Sequence, residues 1–132
     1  MNDFWINLPV RDVQRSKYFF KSLGFTFNEN IGNQDRSACL YVGEKNVVVM
    51  LFDEPTFRSF TNIDIPDPLQ HVEVLLSVGA QSKEEVDDLA RKAIEAGGTS
   101  THTPHEMVGN MYGCVFKDVD GHRWNVLHMK SS

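Results

Sequence analysis

Apolar and polar residues alternate over 3–10, DFWINLPV, so that Phe4, Ile6, Leu8 and Val10 face one side and Trp5, Asn7 and Pro9 the other. A period of two predicts a strand, and Pro9 places it at a sheet edge or a strand end. The period then lengthens. Asp12 offers an N-cap oxygen, Val13, Tyr18, Phe20 and Leu23 form an apolar stripe, and Gly24 supplies a left-handed stop, which predicts an amphipathic helix to about residue 23. Three strand-like runs follow at 25–31, 37–42 and 46–52, separated by the turn-rich segments GNQD and GEKN.

The same order recurs further on. Residues 70–78 read as an apolar-rich strand, and Ser82 with Glu85 has the capping-box form Ser-x-x-Glu. A helix is predicted through Val86, Leu89, Ala90, Ala93 and Ile94 to Gly97-Gly98, then strands at 99–105, 111–117 and 122–129. Gly109-Asn110 marks one turn and Asp120-Gly121 another, the latter a strong hairpin signal because it tolerates positive φ. Cys39 precedes Met50 by eleven positions, as Cys114 precedes Asn125. The chain therefore reads as one α+β domain built of two βαβββ modules, about 1–53 and 70–132. Between them, 53–69 holds three prolines and no sustained period, with one helical turn over 56–60, and is read as a connector able to act as a lid.

Composition narrows the function. A hydrophobic fraction of 41% with 23% charged residues is that of an ordinary globular protein. The net charge of −5, without a basic run, argues against nucleic acid or an anionic membrane as partner and leaves a small molecule or a second copy of the chain. No apolar run is long enough to span a membrane and the first residues lack the basic flank of a signal peptide, so a cytoplasmic location is expected. Cys39 and Cys114 lie far apart with no Cys-x-x-Cys pairing and are read as small buried apolar residues.

Two stretches, LPVRDVQRSKYFFKSLGF and DVDGHRWNV, resemble the opening strand and helix and the closing strand of the vicinal-oxygen-chelate superfamily, the glyoxalase, bleomycin-resistance and extradiol-dioxygenase proteins. The resemblance implies paired βαβββ modules forming a cup-shaped mixed sheet with helices on its convex face, and a homodimer. It also implies where a divalent ion would be held. The first-strand histidine of the metal-using members falls on Trp5, a glutamate of some glyoxalases on Met50, a second-module histidine on Glu73, and the closing glutamate on Asn125. His71 takes the third place under a shifted register. One donor of four, or two with His71, is fewer than the three or more a stable site needs, so no metal or other cofactor is expected. A weakly held divalent ion is the alternative.

Alternation carried from these positions puts Trp5, Asn7, Val48, Met50, Phe52, His71 and Glu73 on the concave face. Leu75, Arg123, Asn125, Leu127 and Met129 follow, with Tyr112 and Phe116 joining. Of these, Trp5, Asn7, Met50, Phe52, His71, Glu73, Tyr112, Arg123 and Asn125 are the candidate ligand-binding residues. Glu73, desolvated on an apolar strand, is the candidate catalytic base, or else pairs structurally with Arg123 or His71. His102 and His105 read as a solvated strand end, since Pro104 denies them a helix, and His128 as a structural residue beneath a helix. The preferred function is metal-free binding of a small organic ligand. The alternatives are a metal-dependent lyase, thiol transferase or dioxygenase with a non-standard site, and a structural dimer with a filled cup.

Overall fold

In the computed structural model, residues 1–33 and 35–130 are described. They form two compact units, Met1–Pro66 and Asp67–Ser132. The first runs β1 (Ile6–Val10), α1 (Val13–Ser22), β2 (Thr26–Asn33), β3 (Ser37–Val42), β4 (Val47–Asp53) and α2 (Glu54–Thr61). Its sheet has the order β1-β4-β3-β2, with β1 parallel to β4 and the other pairs antiparallel. The second runs β5 (Leu75–Gly79), α3 (Lys83–Glu95), β6 (Thr99–Met107), β7 (Met111–Lys117) and β8 (Arg123–Met129). Its order, β5-β8-β7-β6, repeats the first with the same senses. Two mixed sheets and three helices make the α+β class expected from the sequence.

Each sheet has a helix-covered face and an opposite face, and register assigns residues to them. In the first unit Leu8, Leu51 and Ala38 share one row and Ile6, Val49 and Leu40 the next, and all but Ile6 are buried. Helix α1 contributes Val13, Ser16, Phe19 and Phe20 to that core. In the second, Trp124, Phe116, Val126 and Cys114 lie under Val86, Ala90 and Ala93 of α3. Each fully buried large side chain contributes roughly 1.5–3 kcal/mol.

Local chemistry fixes the helix starts. The Asp12 carboxylate accepts from Arg15 N at 3.1 Å, and Ser82 Oγ accepts from Glu85 N at 3.1 Å while the Glu85 carboxylate accepts from Gln81 N at 3.0 Å. The first two contacts satisfy donors that the first helical turn leaves without partners, and the third ties the residue before the Ser82 cap back to the helix. Tyr18 is not part of the α1 stripe. It is 66% exposed, because Val13, Ser16, Phe19, Phe20 and Leu23 form the inward face and Tyr18 falls outside it.

Two expectations about the middle of the chain are corrected. The single helical turn at 56–60 is an eight-residue helix, α2, capped by Asp53 Oδ1 on Thr56 N at 3.0 Å and closed at Asn62 with φ 57°. Pro55, in its first turn, fits there because those N–H groups have no helical acceptor. The strand expected at 70–78 begins only at Leu75. Before it, the nitrogens of Gln70 and His71 donate to the Asp67 carbonyl at 3.0 Å each, and Asp67 Oδ1 accepts from Leu69 N at 3.0 Å. The turn thus engages backbone groups of 67–71, and Val72 and Val74, between it and Leu75, lie outside the sheet.

The β7–β8 hairpin is organised by Asp118. One carboxylate oxygen accepts from the backbone nitrogens of Asp120, Gly121 and His122, each at 3.0 Å, and the other accepts from Trp124 Nε1 at 3.1 Å. Burial pushes this carboxyl above its ordinary range, opposed by the neighbouring His122 and the indole N–H. Gly121 takes φ 100° in the turn.

Candidate functional site

On the second sheet, the face away from α3 carries Arg123, Asn125 and Leu127 of β8. Ser77, Asn125 and Val115 form one row across β5, β8 and β7, with Leu75, Arg123 and Lys117 on one side of it and Gly79, Leu127 and Gly113 on the other. The Asn125 carboxamide donates from Nδ2 to Ser77 Oγ at 3.2 Å. Its Oδ1 is buried and has no hydrogen-bond partner among the described residues. A buried amide oxygen without a donor costs free energy, on the order of 1–3 kcal/mol. Arg123 is held otherwise: its guanidinium donates to the carbonyls of Pro68 at 2.9 Å and Gly121 at 3.3 Å, with the His71 carbonyl at 3.5 Å. It clamps the turn before β5.

The first sheet offers a comparable face. Asn7, Met50, Cys39 and Asn28 share a row, and Pro9, Phe52 and Ser37 the next. Trp5 lies just before β1, two residues from Asn7, and is 53% exposed. Phe60 of α2 packs edge-on to Phe52, with ring centroids 5.1 Å apart. A cavity of about 70 Å³ opens where β2 bulges between Asn28 and Gly32, lined in part by Lys17, Asn28, Glu29 and Cys39. None of the candidate residues named from the sequence lines it.

Three candidates stand elsewhere. His71 and Glu73 lie in the irregular segment before β5 and are exposed, so the desolvation proposed for Glu73 as a base on an apolar strand does not hold. Tyr112 is in register with His128, on the α3 side of the sheet, and its hydroxyl donates to Asp87 at 2.6 Å. The Asp87 carboxylate beside it pushes the phenol up. Phe116 is on that same covered face and buried. The cause in both cases is parity: Asn125 pairs with the odd-numbered Val115, so even-numbered positions of β7 face the helix. His128 does have a structural role, with Nδ1 3.0 Å from the Ala80 carbonyl. Ser77 was missed, although it continues the alternation from Leu75.

Both cysteines are unpaired and buried. Burial pushes the Cys114 thiol up from 9.0 to about 11, with the Asp87 charge adding to it, and raises that of Cys39 as well. A thiol held neutral in the folded state is a poor nucleophile. Neither cysteine should react with Ellman's reagent at pH 8 until urea unfolds the chain. The linkage sign follows: above the ordinary thiol range the unfolded chain releases its proton first, so stability falls as pH rises towards about 11, by at most about 1.4 kcal/mol per pH unit for this group. Rapid labelling of Cys114 in the native protein would contradict this.

The glyoxalase/bleomycin resistance protein/dioxygenase superfamily model matches residues 4–126. The chain belongs to this superfamily. A hypothetical protein from S. aureus is 34% identical, with 97% of this chain and 94% of that one covered at a TM-score of 0.87. A glyoxalase/bleomycin resistance protein/dioxygenase family enzyme from Burkholderia phytofirmans PsJN is 20% identical, with coverage of 96% and 97% and a TM-score of 0.81. A lactoylglutathione lyase from Agrobacterium tumefaciens is 17% identical, with coverage of 97% and 94% and a TM-score of 0.66, a likeness of fold. No curated protein matches the chain.

Taken one by one, the residues at the positions where the resemblance places metal donors do not suit a divalent Lewis-acid ion. Trp5, Met50 and Asn125 bring an indole, a thioether and a neutral carboxamide, and Glu73 stands off its sheet. Hard and borderline dications require carboxylate and imidazole donors in numbers these positions do not supply. Among the described residues no group of three or more His, Cys, Asp or Glu is placed to hold one.

Proposed function

We propose that this superfamily member binds a small organic ligand without a divalent ion, on the face of the second sheet that carries Asn125 and Ser77. The observation that carries the reading is the Asn125 oxygen, buried without a partner at the position where the resemblance expects a metal-binding glutamate. A neutral acceptor there selects a ligand group that donates an N–H or O–H, and Leu75, Val115 and Leu127 around it favour an apolar or aromatic body. The Trp5, Asn7, Met50 and Phe52 face of the first sheet is an apolar surface of the same kind. Exposed Phe4, Trp5, Ile63 and Leu75 support a homodimer. The two free buried cysteines support a reducing, cytoplasmic setting.

The test is a thermal-shift and equilibrium-dialysis screen of aromatic and amphipathic compounds in excess EDTA. At least one compound should raise the melting temperature, since ligand at a hundredfold over its dissociation constant adds about 2.7 kcal/mol. Asn125→Ala should weaken that compound at least about tenfold, the loss of one buried hydrogen bond, and Trp5→Ala tests the other face separately. A screen without any binder, or binding that appears only when divalent metal is restored, would overturn the proposal.

A further inference from the structure

One row of the second sheet has a chemistry unlike the rest. Met107 is in register with Met111 across β6 and β7, and Met111 is in register with Met129 across β7 and β8. Three of the five methionines of the chain thus stand side by side on adjacent strands. Directly opposed side chains in an antiparallel pair start about 4.5–5.5 Å apart at Cβ, so flexible thioethers from all three strands can converge on one point. The row is accessible: Met129 is 70% exposed, and Met107 and Met111 are half-buried.

A nitrogen donor lies one row away. His105 is in register with Gly113, two residues before Met107, and so shares the face of the three methionines. Its Nδ1 is 2.7 Å from the Thr103 carbonyl oxygen. A carbonyl can only accept, so Nδ1 carries the proton and Nε2 keeps its lone pair, the tautomer that an imidazole ligand uses. A Cβ built at Gly113 would come within 3.3 Å of Met107 Sδ, 2.7 Å of Leu127 Cδ2 and 2.5 Å of the Val126 carbonyl oxygen, so the Met107 sulfur lies over the glycine beside the Leu127 side chain, in the row of His105.

We propose that His105, Met107, Met111 and Met129 bind one soft monovalent metal ion, Cu(I) or Ag(I). Thioethers are soft, neutral donors and poor ligands for zinc, magnesium or calcium, whereas a d¹⁰ monovalent ion accepts a low-coordinate set of thioethers with one imidazole. The site uses none of the residues that the resemblance aligns with a metal centre and is independent of the ligand proposed above.

The experiment is a titration of the full chain, labelled at the methionine methyls with ¹³C, with Ag(I). One equivalent should shift the methyl signals of Met107, Met111 and Met129 and leave those of Met1 and Met50 in place, and Zn(II) should shift none of the three. Leucine at each of the three positions conserves volume and leaves the fold intact. Each such variant, and His105→Gln, should weaken silver binding by about tenfold or more, and the triple leucine variant should abolish it. Silver taken up by Cys39 or Cys114 with the three methyl signals unmoved would overturn the proposal. So would undiminished affinity in the triple variant.

Discussion

Asp118→Ala is expected to destabilise the protein by about 3–5 kcal/mol, read as a fall in the urea midpoint at unchanged slope. The carboxylate is buried and is the acceptor for three consecutive backbone N–H groups and for the indole of Trp124. Alanine removes all four side-chain acceptor contacts at once, two of them to the buried Asp120 and Trp124, while Gly121 N keeps the residue 118 carbonyl at 3.1 Å. Trp124, itself 1% exposed, loses the contact that orients it against the core. Asp118→Asn separates charge from geometry. The amide keeps one oxygen for the three backbone donors but turns an N–H₂ towards the indole N–H, so a loss of about 1–3 kcal/mol is expected. Equal loss in the two variants would mean that charge, rather than the acceptor geometry, holds the turn. A loss below about 1 kcal/mol in alanine would contradict the assignment.

Gly121→Ala is expected to cost about 2–3 kcal/mol and to loosen the segment that leads into β5. Two separate penalties add. The residue sits at φ 100°, where a side chain is strained, and a Cβ there would come 2.7 Å from Leu69 N and 2.8 Å from Pro68 C. These are backbone atoms held in place by Asp67 and by the Arg123 guanidinium on the Pro68 carbonyl. The new methyl therefore pushes on a clamp as well as on its own turn. Limited proteolysis should show faster cleavage within 67–74 in the variant, with the urea midpoint reporting the global loss. Wild-type cleavage and a midpoint unchanged within about 0.5 kcal/mol would contradict the packing described.

Where local chemistry and the hydrophobic period agreed, the sequence was a good guide. β3 and β7 have the expected bounds of 37–42 and 111–117, and the starts of α1 and α3 follow from Asp12 and Ser82. Misreadings arose where a distant group outbid the period. Val72, Val74 and Leu75 look like one strand, yet Asp67 and Arg123, the latter more than fifty residues away, occupy the backbone of the segment before Leu75. Prolines hid α2, although Asp53 followed by Pro55 is also a helix start. On the candidate site, parity fixed the side of Asn125 and Arg123, while the same parity, not carried across the β7–β8 pairing, misplaced Tyr112 and Phe116. The cross-strand partners Ser77 and Val115, and the row of methionines, depend on register, which pairs residues far apart in the chain and leaves no local trace.

The metal-free reading proposed above rests on Trp5, Met50, Glu73 and Asn125, which stand where the resemblance places the donors to a dication. It is tested most directly by elemental analysis of the wild-type protein purified without chelator and then equilibrated in turn with nickel, zinc, manganese and iron(II). Each should remain far below one ion per chain, and binding of the organic ligand should be unchanged by EDTA. Close to one such ion per chain, lost together with ligand binding on chelation or in Asn125→Ala, would contradict it.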